Sequence, residues 1–119
     1  MRNYKNYTVW KGGHLLVTEI YNSTNSFPKS EVFGLTSQIR RAMVSVPTNI
    51  AEGCGRETDN DFKRFLVITH GSATEVEHLL FLSRELNYLS RDEFTDLNEK
   101  IVILRKQLHQ LIKKIKANS

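Results

Sequence analysis

The chain has 119 residues, of which 39% are hydrophobic and 25% charged, and its formal net charge is +4. This length and balance exclude a disordered chain and suffice for a single domain, residues 1–119, that folds without metal or disulfide. With Cys54 as the only cysteine and apolar runs no longer than Leu79–Leu82, a disulfide scaffold and a membrane-spanning helix are excluded as well.

In chain order, Met1–Gly13 are polar and aromatic with no apolar core of an export signal, so a cytoplasmic location is expected. Trp10, Val17, Ile20 and Tyr21 predict a first helix ending near Thr24, although Gly12 and Gly13 each cost about 1 kcal/mol relative to alanine inside it. Ser23–Pro28 reads as a loop, with Pro28 suited to the first turn of the next helix. The second helix carries Leu35, Ile39, Ala42, Met43, Val46 and Ile50 on one side. Pro47 removes a backbone bond to Met43 and predicts a kink near Val46. Gly53 and Gly55 are expected to end this helix through the left-handed conformation.

The third helix is predicted from Phe62, Phe65, Thr69, Ser72, Val76, Leu79, Ser83 and Leu86, widened by Leu66, Ala73 and Leu80, with Thr58 and Asp61 resembling a capping box at its start. Thr69, Gly71, Ser72 and Ala73 make its middle small enough for a neighbouring helix to approach closely. The short Asn87–Ser90 connection forces the fourth helix to run antiparallel. That helix is predicted over about Arg91–Ala117, with a capping box of Ser90 and Glu93 and a seam of Phe94, Leu97, Ile101, Leu104, Leu108, Leu111 and Ile115. Residues 91–119 supply +3 of the net charge, seven bases against four acids, with the acids leading and the bases trailing as the helix dipole favours. The predicted fold is therefore all-α: an antiparallel up-and-down four-helix bundle with its second helix kinked at Pro47.

The segments FPKSEVFGL (27–35), GLTSQIRRAMVSVPTNIAEGCGR (34–56) and DFKRFLVITHGSATEVE (61–77) resemble the bacterial four-helix-bundle proteins first described from intervening sequences in 23S ribosomal RNA genes. The resemblance is most specific from Gln38 to Arg56, where paired arginines, a mid-helix proline and the Asn-Ile-Ala-Glu-Gly turn occur in the family's order. It implies an up-and-down bundle assembled into a ring-like homopentamer. It also implies a fold shared with the accessory protein of diversity-generating retroelements, which binds nucleic acid through a basic surface. No biochemical activity is implied, nor a structural place in the ribosome. The chain departs from the family at Gly12 and Gly13, where helix formers are more usual, and at His70, where an arginine is common. The last change weakens any basic ring near neutral pH.

Candidate phosphate contacts are Arg40, Arg41, Arg56, Lys63, Arg64, Lys106, Lys113 and Lys116. Arg56, Lys63 and Arg64 surround the turn between the second and third helices, although Glu52, Glu57, Asp59 and Asp61 offset them locally. Lys106, His109, Lys113 and Lys116 recur on one outward face of the fourth helix, a stripe able to track a nucleic-acid backbone or simply to stay solvated. Arg40 and Arg41 point about 100° apart, so one is expected to pair with an acid. The expected structural partners are Glu75 or Glu77, across the bundle or across a subunit boundary.

Enzymatic signatures are thin. Glu75-x-x-His78 occurs once where a dinuclear carboxylate bundle needs two such pairs, and Cys54, His14, His70, His78 and His109 lack the short paired spacings of zinc sites. Cys54 has no histidine near it in sequence, and Gly53-Cys54-Gly55 lacks the phosphate-loop pattern. The expectation is a cytoplasmic, non-enzymatic homo-oligomer without cofactor or metal, binding RNA or DNA or assisting a nucleic-acid enzyme. A protein-binding oligomeric scaffold is the alternative.

Overall fold

The computed structural model describes residues 2–115. Four helices, α1 (Thr8–Thr24), α2 (Leu35–Cys54), α3 (Asp59–Glu85) and α4 (Arg91–Lys114), form an antiparallel bundle measuring 47 × 23 × 22 Å, with no strand among the described residues. Consecutive helices pack side by side and α4 closes back on α1, so the order around the bundle follows the chain. Short 3-10 turns, Tyr4–Asn6 and Lys29–Glu31, precede α1 and α2.

Each boundary has a local cause. Thr58 Oγ1 accepts the Asp61 N–H at the start of α3, and Ser90 and Glu93 form the full reciprocal capping box that opens α4. α3 ends in a Schellman motif: the Tyr88 N–H donates to Ser83 O and the Asn87 N–H to Arg84 O, with Asn87 in the left-handed region at φ 62°. At the start of α2 there is no side-chain cap from Gly34. Instead, Glu31 Oε1 accepts the Leu35 N–H at 3.1 Å while its other oxygen accepts the Tyr88 hydroxyl at 3.0 Å. One carboxylate thus complements the α2 dipole and ties the α3–α4 turn to it.

The core runs the length of the bundle through Ile20, Ile39, Met43, Ile50, Leu66, Leu80, Ile101 and Leu108, all shielded from solvent. Burying side chains of this size contributes roughly 1.5–3 kcal/mol each. Its polar members are satisfied locally: Thr24, Thr69 and Ser83 each donate a hydroxyl to the carbonyl four residues earlier. Thr36 Oγ1 alone among the described buried side-chain atoms has no partner.

Several expectations change. The inward face of α1 is Val9, Gly13, Leu16, Ile20 and Thr24, so Trp10 and Val17 flank the core and Tyr21 is exposed. The contiguous Leu15-Leu16-Val17 run leaves the phase of this helix ambiguous in sequence. Leu86 is the cap of α3 and lies in solvent rather than on its seam. Pro28 introduces the 3-10 turn, and α2 starts only at Leu35. α2 spans Leu35–Cys54 with Pro47 inside it, as expected of the second helix. α4 stops at Lys114 because Ile115 is extended, and the remainder of the expected helix lies outside the described residues.

The second-helix glycines do not act through left-handed backbone, since no described glycine has positive φ and Gly55 sits at φ −82°. Gly53 serves approach instead. A Cβ there would stand 2.8 Å from Phe65 Cβ and 3.3 Å from Phe62 Cδ1 on α3. Gly13 does the same for α1, where a Cβ would meet Val46 Cγ1 at 3.0 Å and Pro47 Cδ at 3.6 Å. Between α2 and α3, the predicted small residues appear as a 2.8 Å hydrogen bond joining the Ser45 and Ser72 hydroxyls, with Asn49 Nδ2 donating to Ser45 O and Oγ.

Candidate nucleic-acid interface

Antiparallel packing brings the start of α1, the end of α2, the start of α3 and the end of α4 to one end of the bundle. Their charges are scattered in sequence but share this half of the molecule. Arg2, Lys5, Lys11, Arg56, Lys63, Arg64, Arg105, Lys106, Lys113 and Lys114 lie there, against Glu52, Glu57, Asp59 and Asp61. The other half reverses the balance, with Glu19, Glu31, Glu75, Glu77, Glu85, Asp92, Glu93, Asp96 and Glu99 against Lys29, Arg40, Arg41, Arg84, Arg91 and Lys100. The +4 chain is therefore an electrostatic dipole along its long axis, a property that summed charge conceals.

At the basic end, aromatic rings hold the guanidinium groups. Arg2 lies 4.3 Å from the Phe62 ring centre, donates to Arg56 O at 2.9 Å and pairs with Asp59. Arg56 and Arg64 lie 4.7 and 4.9 Å from the Phe65 ring centre, and Arg64 keeps 59% of its side chain in solvent while standing 3.6 Å from Asp61. Cation–π contact fixes the planar groups of Arg56 and Arg64 without using their hydrogens, so their donors stay available to an anion, whereas those of Arg2 are engaged by Arg56 O and Asp59. Lys63 is half-buried beside them, and Lys106 and Lys113 are exposed on α4. Lys116 lies outside the described residues. His109 is exposed, as the outward stripe requires, and its ring lies 6.0 Å from that of His70 on α3.

The paired arginines have separate surroundings. Arg40 donates from Nε to Thr24 Oγ1 at 2.9 Å and from Nη2 to Tyr21 O at 3.2 Å and Asn25 Oδ1 at 3.1 Å, and it lies 4.5 Å from the Tyr21 ring centre. It is a clamp on the carboxyl end of α1, where its charge also complements the helix dipole. Arg41 is exposed, on a cavity it shares with Phe33, Gln38 and Glu75. Within the chain neither arginine pairs with Glu75 or Glu77. Gln38 Nε2 donates to Glu75 at 3.5 Å, whereas Arg105 Nε donates to Glu77 at 2.7 Å, joining α3 to α4. The sequence reading missed Arg105 as the partner, although its charge directly follows the seam residue Leu104.

The remaining reactive groups are poorly placed for chemistry. Cys54 is buried, and that burial raises its thiol pKa despite an opposing effect of Arg2. Glu75 and His78 both face solvent rather than the bundle interior where a carboxylate-bridged metal pair would sit. No group of three ligating side chains occurs among the described residues. No described helix is long and apolar enough to cross a membrane.

Residues 5–110 match the family model of the 23S rRNA-intervening sequence protein. The chain belongs to this family. A crystal structure of a Bacteroides thetaiotaomicron protein of unknown function from the S23 ribosomal protein family shares the fold. The two are 25% identical at a TM-score of 0.82, over 89% of this chain and 96% of that one. No curated protein matches the chain. Membership of the intervening-sequence family accounts for the four-helix architecture.

Proposed function

We propose that the protein is a non-enzymatic cytoplasmic homo-oligomer, a homopentamer on its family resemblance, that binds RNA or single-stranded DNA through the phosphate backbone or assists a nucleic-acid enzyme. The observation supporting this is the gathering of nine cations against four carboxylates in one half of the bundle, with a tenth, Arg105, paired to Glu77 across the midline. Polyanions respond to such a field through release of condensed counterions, which makes affinity fall steeply as salt rises. Arg56 and Arg64, held over Phe65, are positioned for phosphate rather than for base edges, so sequence-independent binding follows. In an assembly of like-oriented copies the basic ends repeat side by side. Arg41 and Glu75, both exposed on the α2–α3 side, are then available to meet across a subunit boundary.

The test is light scattering after size exclusion, with a mixed RNA and single-stranded DNA pool at two salt concentrations. Wild type is expected to gain mass with nucleic acid only at low salt, and the Lys63→Gln, Arg64→Gln, Lys113→Gln variant to lose at least tenfold in affinity. Each lost phosphate contact lowers the salt slope by about one. A wild-type protein indifferent to nucleic acid at either salt overturns this reading in favour of the protein-binding scaffold.

A further inference from the structure

A long groove runs along the α1–α4 side of the bundle. Two cavities of about 630 and 340 Å³ lie along it and share Thr8, Ile103 and Gln107, so they form one continuous groove. Gly12, Leu16 and Leu104 line its floor, and on its lips Leu15 is 66% and Ile103 52% exposed. The stretch of α1 along it, Thr8 to Glu19, spans about 17 Å at 1.5 Å per residue, room for about three turns of a partner helix.

Gly12 points to the same conclusion independently. A Cβ at this position would meet nothing closer than Leu104 Cδ1 at 3.8 Å, an ordinary contact, so packing within the chain does not require glycine there. A helix interior nevertheless loses about 1 kcal/mol by carrying it. An element lying in the groove would use the missing Cβ as Val46 and Pro47 use that of Gly13.

Charge selects the occupant. Lys11 on α1 and Lys106 and Lys114 on α4 flank the apolar floor, all three exposed and without an ion pair among the described residues, whereas Glu19 is already neutralised by Lys100 at 2.5 Å. We propose that this groove receives an amphipathic helix of a partner protein, apolar on its inner stripe and acidic on both flanks. An apolar concave floor does not suit a phosphate backbone, and a channel between two helices accepts the ridge of a third. The groove shares Lys11, Lys106 and Lys114 with the basic half but none of the arginines held over Phe62 and Phe65, so the two contacts are tested separately.

The experiment measures fluorescence anisotropy of three 14-residue amphipathic peptides with one leucine stripe and flanks of Glu, Gln or Lys. They are titrated with the full chain and with its Leu15→Asp, Ile103→Asp variant, whose changes lie in solvent. Saturable binding ordered Glu over Gln over Lys, weakened at least tenfold in the variant, is the expected result. Equal binding of all three peptides, no binding of the Glu peptide, or binding unaffected by the variant overturns the proposal. So does a change of oligomeric mass in the variant, which would give the groove to a second copy. Preferential binding to vesicles rich in phosphatidylserine over the Glu peptide would give it to a membrane surface and overturn the proposal as well. Nucleic-acid affinity of the same variant, measured in parallel, is expected to fall less than threefold.

Discussion

The α2–α3 seam and the α1–α4 side are both helix pairs in one bundle, yet they are closed by different means. Between α2 and α3 every device shortens the approach: Gly53 seats against Phe65, hydroxyls meet at Ser45 and Ser72, and Phe62 and Leu66 are fully packed. Between α1 and α4 the contact is Leu16 and Leu104 at depth, with a Lys100–Glu19 pair at one end and exposed Leu15 and Ile103 at the lips. Interiors pack to crystal-like density where they are complete, so an apolar groove at α1–α4 beside a seam whose surface cavity is lined by Arg41, Ser45, Ser72 and Glu75 marks a division of labour. The first seam holds the fold and the second is left to an outside contact.

Glycine substitutions break this comparison most sharply. Gly53→Ala places a Cβ at a distance real side chains do not show, and relief requires moving the Phe65 backbone region rather than a flexible tip. Overpacking of this kind costs about 1–3 kcal/mol, offset by up to about 1 kcal/mol of helix propensity, so a net loss of about 1–2 kcal/mol is expected in urea unfolding. Gly12→Ala makes the opposite prediction. With its nearest neighbour at 3.8 Å, the added methyl is accommodated and the protein gains about 1 kcal/mol by the same measurement. If both substitutions destabilise equally, the α1–α4 side is as tightly built as α2–α3 and the division fails.

The sequence makes the periodic elements readable and leaves their meetings obscure. Ser90 and Glu93 sit within one turn, and Leu97, Ile101, Leu104 and Leu108 repeat at the helical period, so both capping and burial in α4 follow from local spacing. Arg40 is different. Its partners Tyr21, Thr24 and Asn25 belong to the end of another helix, and only the α1–α2 register puts them within reach. The charge asymmetry is hidden for the same reason, because Arg2, Arg56, Lys63 and Lys113 come to one end of the bundle only after three reversals of the chain. Gly53 and Gly55 mislead in the other direction. They have the composition of a left-handed stop, yet close packing against α3 explains Gly53, while Asn87 supplies the left-handed residue elsewhere.

The α3–α4 side lies between these extremes and is sensitive to pH. His70 is held below the ordinary histidine value of 6.5, first by burial, then by the positive charge of Arg105 and by His109, while Glu77 opposes the shift. Glu77 is already engaged by Arg105 across the helix pair, so it offers His70 limited compensation. The unfolded chain takes up this proton more readily than the folded one. Stability therefore falls as pH drops through 6.5 toward the lower folded value, and levels off below it. Denaturant midpoints across that range are expected to fall less steeply in His70→Gln than in wild type. The effect should be smaller than either glycine substitution, since His70 is partly solvated. Identical slopes would place the acid sensitivity elsewhere. A difference confined to His70 would identify the α3–α4 contact as intermediate, packed enough to disfavour a charge and open enough to admit water.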